Sequence, residues 1–157
     1  MKDLVALLRE YKLTIASCES LSGGLFASKL VEVPGVSSVF VGSVVTYATR
    51  VKHEVVHVNK NTINEYGVVS EQVANEMASN IAKLMKSDIG VSFTGNAGPN
   101  VMEGKPAGLV YSSIYYEGNV VSYSDMISGT RNEVRNQIVD LMTQRLIMLI
   151  SKEKQNG

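Results

Sequence analysis

A single cysteine, Cys18, stands among the 157 residues. That excludes an internal disulfide and any zinc cage built from several thiolates, and it fits a reducing cytoplasm as the compartment. Tryptophan is absent, and neither sign of charge is in excess: 15 Lys+Arg face 15 Asp+Glu. An even balance argues against nonspecific attachment to a nucleic-acid backbone, and no basic run is interleaved with aromatic residues. No apolar run approaches the ~20 residues a membrane span needs. Met1-Lys2-Asp3 leads into an amphipathic stretch charged at Arg9, Glu10 and Lys12, without the apolar centre or small-residue cleavage site of a signal peptide. What remains is 45% hydrophobic and 19% charged, enough apolar material for a sizeable core. The length predicts one domain over residues 1–157.

Helical and strand patterns alternate along that domain. Leu4, Leu7, Leu8 and Tyr11 recur at helical spacing and predict a first helix over 3–11. Leu13 to Cys18 suits a short strand buried on both faces. Ser22-Gly23-Gly24 then opens a second helix, with Leu25, Leu30 and Val31 as core positions and Pro34-Gly35 as its stop. Val39 to Tyr47 reads as a strand, and 50–66 as one or two short helical turns. Ser70 is a good N-cap for a helix reaching about Lys86, with Val73, Met77, Ile81 and Leu84 on its inner stripe. A short strand, Ile89 to Thr94, runs into the loop Gly95-Asn96-Ala97-Gly98-Pro99. Residues 108–116 and 119–127 predict an antiparallel hairpin, and 131–150 a last helix carrying Val134, Ile138, Leu141, Leu146 and Leu149. The polar tail 151–157 is expected to fray. Met142 and Met148 belong either to the core or to a self-association surface, so a homo-oligomer is possible.

This order implies an α/β fold, a three-layer α/β/α domain on a mixed, mostly parallel sheet with a late antiparallel hairpin. Ligands of such sheets lie where the chain leaves the carboxyl ends of parallel strands. Three segments qualify: Glu19 to Gly24, Tyr47 to Lys52, and Thr94 to Pro99. Each has two readings. Ser20, Ser22, Gly23 and Gly24 make either a capped, tightly packed strand-to-helix turn or a serine hydroxyl at a helix start that favours developing negative charge. Cys18 is a small buried hydrophobe or a nucleophile. Lys52 is a surface lysine, or, if partly desolvated beside Ser20, a base whose pKa has fallen from about 10.4 toward ~7–8. His53 and His57, four apart, are rival bases, a metal-binding pair, or exposed helix residues; no acidic third ligand follows at a telling spacing. Thr94 to Pro99 is a rigid turn, or a place where Gly95 and Gly98 let backbone N–H groups approach a phosphate or carbonyl oxygen. It is neither a Walker loop nor a dinucleotide fingerprint. Arg131 is a cap, a phosphate clamp or a solvated arginine.

The segments are more specific together. Glu19 to Gly24, Pro34 to Ser37, Val45 to Lys52, Gly67 to Glu71, Thr94 to Pro99, Lys105 to Gly108 and Gly129 to Arg131 resemble, in order, the motifs of the CinA C-terminal domain family. That family includes nicotinamide mononucleotide deamidases, and the match spans nearly the whole chain. The resemblance implies hydrolysis of the carboxamide of nicotinamide mononucleotide to nicotinate mononucleotide and ammonia, with no metal and no organic cofactor. It places the nucleophile on Ser20, the base on Lys52 and a relay serine on Ser37. Tyr47, Thr94 and Arg131 fall on site positions, and the resemblance leads to the expectation of a stand-alone form of a domain that often follows a larger one. Lys52 would take the Ser20 proton directly or through Ser37. N–H groups near Ser20 and the Gly23-Gly24 helix start would hold the oxyanion, and Arg131 would pair with the phosphate. The expected partner is thus a pyridine nucleotide, with no nucleic acid and no membrane. Three departures touch the pocket rim: Leu21-Ser22 replaces Cys-Thr, Asn96 replaces an apolar residue, and Asn100 to Gly104 is short and irregular. Competing readings are a nucleotide-binding or regulatory module that lost the chemistry, and an amidase for another small substrate.

Overall fold

The computed structural model describes residues 1–157. Helix α1 (Lys2–Glu10) leads to strand β1 (Ile15–Glu19) and helix α2 (Leu25–Val31). A 3-10 turn, Val36–Ser38, precedes β2 (Phe40–Val45); two short helices follow, α3 (Thr49–Glu54) and α4 (Lys60–Tyr66). Then come α5 (Glu71–Met85), β3 (Ile89–Gly95), the hairpin β4 (Leu109–Tyr116) and β5 (Asn119–Met126), and α6 (Arg131–Asn156). The sheet order is β2-β1-β3-β4-β5. β1 pairs in parallel with β2 and β3, while β3–β4 and β4–β5 are antiparallel. Four strands therefore point one way and only β4 the other. Both faces are covered, which gives the three-layer α/β/α domain.

Period-two alternation sorts the central strands between two cores. Ile89, Val91 and Phe93 of β3 join Phe26, Leu30, Ile138 and Met142 under α1, α2 and α6. Phe26 and Phe93 meet at 5.5 Å between ring centroids and 45°, a geometry worth roughly 0.5–1.5 kcal/mol beyond area burial. The other face packs α5 against Ala16 and Cys18 of β1 through Val73, Met77 and Ile81. Here Gly90 matters: a Cβ on it would stand 2.1 Å from the Ala78 carbonyl oxygen. Any side chain would push α5 off the sheet, so this face is built from Ala74, Ala78 and Ala82. Ser70 caps α5 by accepting from Val73 N–H, and Thr130 and Glu133 form a reciprocal capping box on α6.

Several side chains stand elsewhere than the periodicity predicts. In α2 the buried residues are Phe26 and Leu30, while Val31 is exposed. The helix begins at Leu25, after Gly24, which shifts the inward stripe by one position. Leu84 points outward from α5. In α6 the inner stripe is Val134, Ile138, Val139, Met142, Leu146 and Ile150, so Met142 is core and only Met148 is exposed. The tail does not fray at 151. α6 continues to Asn156, where Lys154 lies over the Tyr11 and Tyr116 rings and pairs with Glu117. No helix is long and apolar enough to cross a membrane.

Candidate active site

The site grows from the carboxyl ends of β1, β2 and β3. All five residues of β1 are buried, and a charge at its end needs partners. Glu19 has them: its carboxylate accepts from Phe26 N–H at 2.9 Å and Ala27 N–H at 3.0 Å, and from the Ser17 and Ser43 hydroxyls. A carboxylate on the first N–H groups of α2 meets the positive end of the helix dipole and fastens that helix to the strand. Those N–H groups are therefore spent on Glu19, and the α2 start does not offer them to a substrate oxyanion. Gly24, the N-cap residue, sits at φ 94, a left-handed conformation costly for other residues.

Ser20 follows, with its N–H on the Phe93 carbonyl at 2.9 Å and its side chain at the edge of a hollow. From the neighbouring strand the chain crosses Thr46 and Tyr47 into α3, whose Lys52 is only 1% exposed. Lys52 Nζ lies 2.9 Å from Ser20 Oγ and 2.6 Å from the Thr46 carbonyl oxygen. Burial lowers its pKa from the ordinary 10.5 to about 8, with Cys18 and Glu103 pulling weakly the other way. A neutral amine keeps one hydrogen on the Thr46 carbonyl and aims its lone pair at the Ser20 hydroxyl. Cys18 points to the α5 side, against the Thr46 hydroxyl, and burial pushes its thiol up to about 12. A thiol so reluctant to ionise is no nucleophile.

The hollow, about 110 Å³, is lined by Ser20, Leu21, Tyr47, Gly95, Asn96, Ala97, Asn100, Met102 and Arg131. It is smaller than the ~300 Å³ at the low end of small-molecule pockets, so it takes one end of a ligand. Arg131 donates to the Gly98 carbonyl and the Tyr47 hydroxyl, both at 2.8 Å, tying the exits of β2 and β3 to the start of α6. Among backbone donors at the site, the N–H groups of Leu21, Ser22, Tyr47, Ala97 and Asn100 have no partner in the chain. Leu21 and Ala97 face the hollow; Ser22 is buried one step behind.

The predicted residues divide accordingly. Ser20, Lys52, Tyr47, Gly95 and Arg131 come together. Gly98 contributes through its carbonyl, and Gly23 and Gly24 shape the turn without lining the hollow. Thr94 is buried and donates to the Val68 carbonyl, so it braces the wall from behind. Ser37 is not in the site. It is exposed in the 3-10 turn before β2, and since Ile15 pairs with Phe40, that turn lies at the amino end of the sheet. His53 and His57 do not share a helix face: His57 lies past the end of α3 at φ 63, and His53 Nδ1 bonds the Val58 carbonyl.

Some functional groups escaped the sequence reading. Asn96, read only as a departure, is 4% exposed; its amide donates to the Met102 and Lys105 carbonyls and accepts from Met102 N–H. It holds the short loop that brings Asn100 and Met102 to the rim. Glu103 fixes the same loop by accepting from Val68 and Val69 N–H. A charged residue closing the buried run of β1 was the available signal for Glu19. None marked the Thr46 carbonyl.

Fold and site together define a class: an α/β/α domain with a buried serine–lysine contact where parallel strands end. The model of the CinA C-terminal domain matches residues 1–150. The chain belongs to that family. Over 140 residues it is 44% identical to a putative competence-damage inducible protein of Clostridium beijerinckii, covering 87% of this chain and 34% of that one. A CinA-like protein of Kosmotoga olearia is 42% identical over 152 residues, covering 94% and 37%. The chain thus spans about a third of the length of the curated relatives it matches. Among solved structures, a CinA superfamily protein from Klebsiella pneumoniae 700603 superposes with TM-score 0.94 at 26% identity, covering 96% of this chain and 95% of that one. The competence/damage inducible protein CihA from Agrobacterium tumefaciens gives 0.82 at 31%, covering 95% and 94%.

Proposed function

We propose that this chain is an amidohydrolase that cleaves the carboxamide of nicotinamide mononucleotide to nicotinate mononucleotide and ammonia. The observation that carries the reading is the buried Lys52 amine on the Ser20 hydroxyl at 2.9 Å, with its pKa brought near 8. An amide is a poor electrophile, so the alcohol needs its proton removed as it attacks. Neutral Lys52 takes that proton directly, since Ser37 is at the far end of the sheet. Ser20 Oγ bonds to the carbonyl carbon, and the unpaired N–H groups of Leu21 and Ala97, on residues that line the hollow, are taken as the donors for the oxyanion. As the C–N bond breaks, Lys52 returns the proton to the nitrogen, which leaves as ammonia. Water then adds to the ester with Lys52 again as base, and the acid departs from a restored Ser20.

The small hollow suits the carboxamide-bearing ring, leaving the ribose phosphate along the rim toward Arg131. Its guanidinium keeps N–H donors beyond those used on Gly98 and Tyr47, in the planar fork that suits a phosphate. The test is ammonia release from nicotinamide mononucleotide. Turnover by the unmodified chain, lost in Ser20→Ala and in Lys52→Met, is expected. Equal turnover in both variants rejects the pair. Calorimetric binding of the nucleotide with no ammonia marks instead a nucleotide-binding module, a reading favoured by the altered rim at Leu21, Asn96 and 100–104.

A further inference from the structure

We propose that Arg135, in the second turn of α6, is a positioning residue for the reaction at Ser20; the inference rests on the amidohydrolase reading above. Its guanidinium is half-buried and grips the turn that follows the nucleophile. Nε donates to the Leu21 carbonyl at 3.2 Å, Nη2 to the Ser22 carbonyl at 2.9 Å, and Nη1 to Asn132 Oδ1 at 3.0 Å. Arg135 takes part in none of the chain's salt bridges, so its charge is directed at two peptide carbonyls.

Geometry gives this grip a consequence. In a trans peptide the C=O and N–H point in opposite directions. Drawing the Leu21 carbonyl toward α6 turns the Ser22 N–H inward, away from the helix. The Ser22 carbonyl is held too, and the other end of its peptide, Gly23 N–H, bonds back to the Ser20 carbonyl at 3.0 Å. The three residues after the nucleophile are thus fixed from both sides. What they leave unpaired is a pair of N–H groups, on Leu21 and Ser22, in residues only 4% and 0% exposed. Unpaired N–H groups in buried residues are rare. A fork that holds consecutive carbonyls, and through Gly23 N–H the Ser20 carbonyl, costs the turn its freedom to flip the Leu21 N–H, the one of the pair on a residue lining the hollow, and its positive charge behind the turn favours an oxyanion in front. Only arginine has the planar fork for this; lysine is a point charge.

The test pairs two reactions: ammonia release from nicotinamide mononucleotide, and acylation of Ser20 by p-nitrophenyl acetate, read as the p-nitrophenolate burst, which does not depend on the nucleotide. Arg135→Ala is expected to lower kcat and the burst rate roughly 100-fold, as for loss of one oxyanion donor, with KM nearly unchanged. Arg135→Lys is expected to recover little. Millimolar guanidinium added to Arg135→Ala should restore about tenfold, a rescue that a merely structural brace would not give. Wild-type rates in both Arg135 variants, a loss carried by KM, or a loss that guanidinium leaves untouched overturns the proposal. Were Arg135→Ala not to fold, Arg135→Lys decides: wild-type kcat and burst rate overturn the proposal, and a lowered kcat at unchanged KM supports it. If Ser20→Ala is silent while both Arg135 variants run at the wild-type rate, the hydrolase reading stands and this inference falls. If wild type shows the burst but releases no ammonia, the nucleotide reading falls and Arg135 is judged on the burst. With neither, both fall.

Discussion

The two ends of the parallel strands use polar groups in opposite ways. At the amino ends, Asp88 accepts from both the N–H and the hydroxyl of Thr14, and Thr14 Oγ1 accepts from Asp88 N–H, all in solvent. There the two residues answer one another. At the carboxyl ends a lysine is buried against a serine, and Leu21 and Ala97, which line a hollow, have N–H groups without partners. Burying such groups costs stability, so an end that does so is not optimised for folding alone. The contrast says where chemistry belongs, and it can be broken by experiment.

The largest effect is expected at the Ser20–Lys52 contact. Removing either member of a nucleophile–base pair should cut kcat by at least ~10³-fold, and removing both should cost little more, because they act as one unit. Kinetics of Ser20→Ala, Lys52→Met and the double variant measure this. Additive losses in the double variant would mean that the two act separately.

The same lysine separates the ends by pH. Its base form is needed, so kcat/KM should climb with pH and level off above about 8. Stability follows with a definite sign. The folded pKa is lowered, so below about 8 the lysine is protonated in both states and the folded chain bears the cost of burying it. Between about 8 and 10.5 only the unfolded chain holds that proton. Stability should therefore rise with pH across that window, by on the order of 3 kcal/mol in total. Urea titrations of wild type against Lys52→Met, from pH 7 to 10.5, should show this rise in wild type alone.

At the rim, Asn96→Ala strands Met102 N–H and two carbonyls. A loss of about 1–3 kcal/mol in urea unfolding is expected. Hydrogen exchange should quicken over residues 100–105 and stay unchanged at Thr14 and Asp88, which share no contact with that loop.

Much of this frame was legible in the chain. The apolar runs Leu13 to Cys18 and Ile89 to Thr94 pointed to central strands, because a strand covered on both faces admits little else. Polar, Gly-rich segments after those strands marked the right end of the sheet. The pairing of Ser20 with Lys52, 32 positions apart, was not in any local pattern; it came from the ordered motifs of a family. Side chains that act through long-range contacts were silent for the same reason. Arg135 reads as a solvated helix arginine until α6 is seen against the Leu21–Gly23 turn. The 151–156 turn of α6 reads as a polar tail until Tyr11 and Tyr116 are placed under Lys154.

Ser37 is the instructive miss, and it supplies the smallest expected effect. A motif's order along the chain does not say which end of a strand it occupies, but topology does. A helix between parallel strands runs back to the amino end, so whatever follows α2 and precedes β2 must lie there. Pro34 to Ser37 is such a segment, and Ser37 is exposed in it. Ser37→Ala should leave kcat and KM as they are and shift unfolding by no more than about 0.5 kcal/mol, the ordinary range for a surface change. A large fall in kcat with unchanged unfolding would carry catalysis to the amino end of the sheet, and the division between the two ends would not survive it.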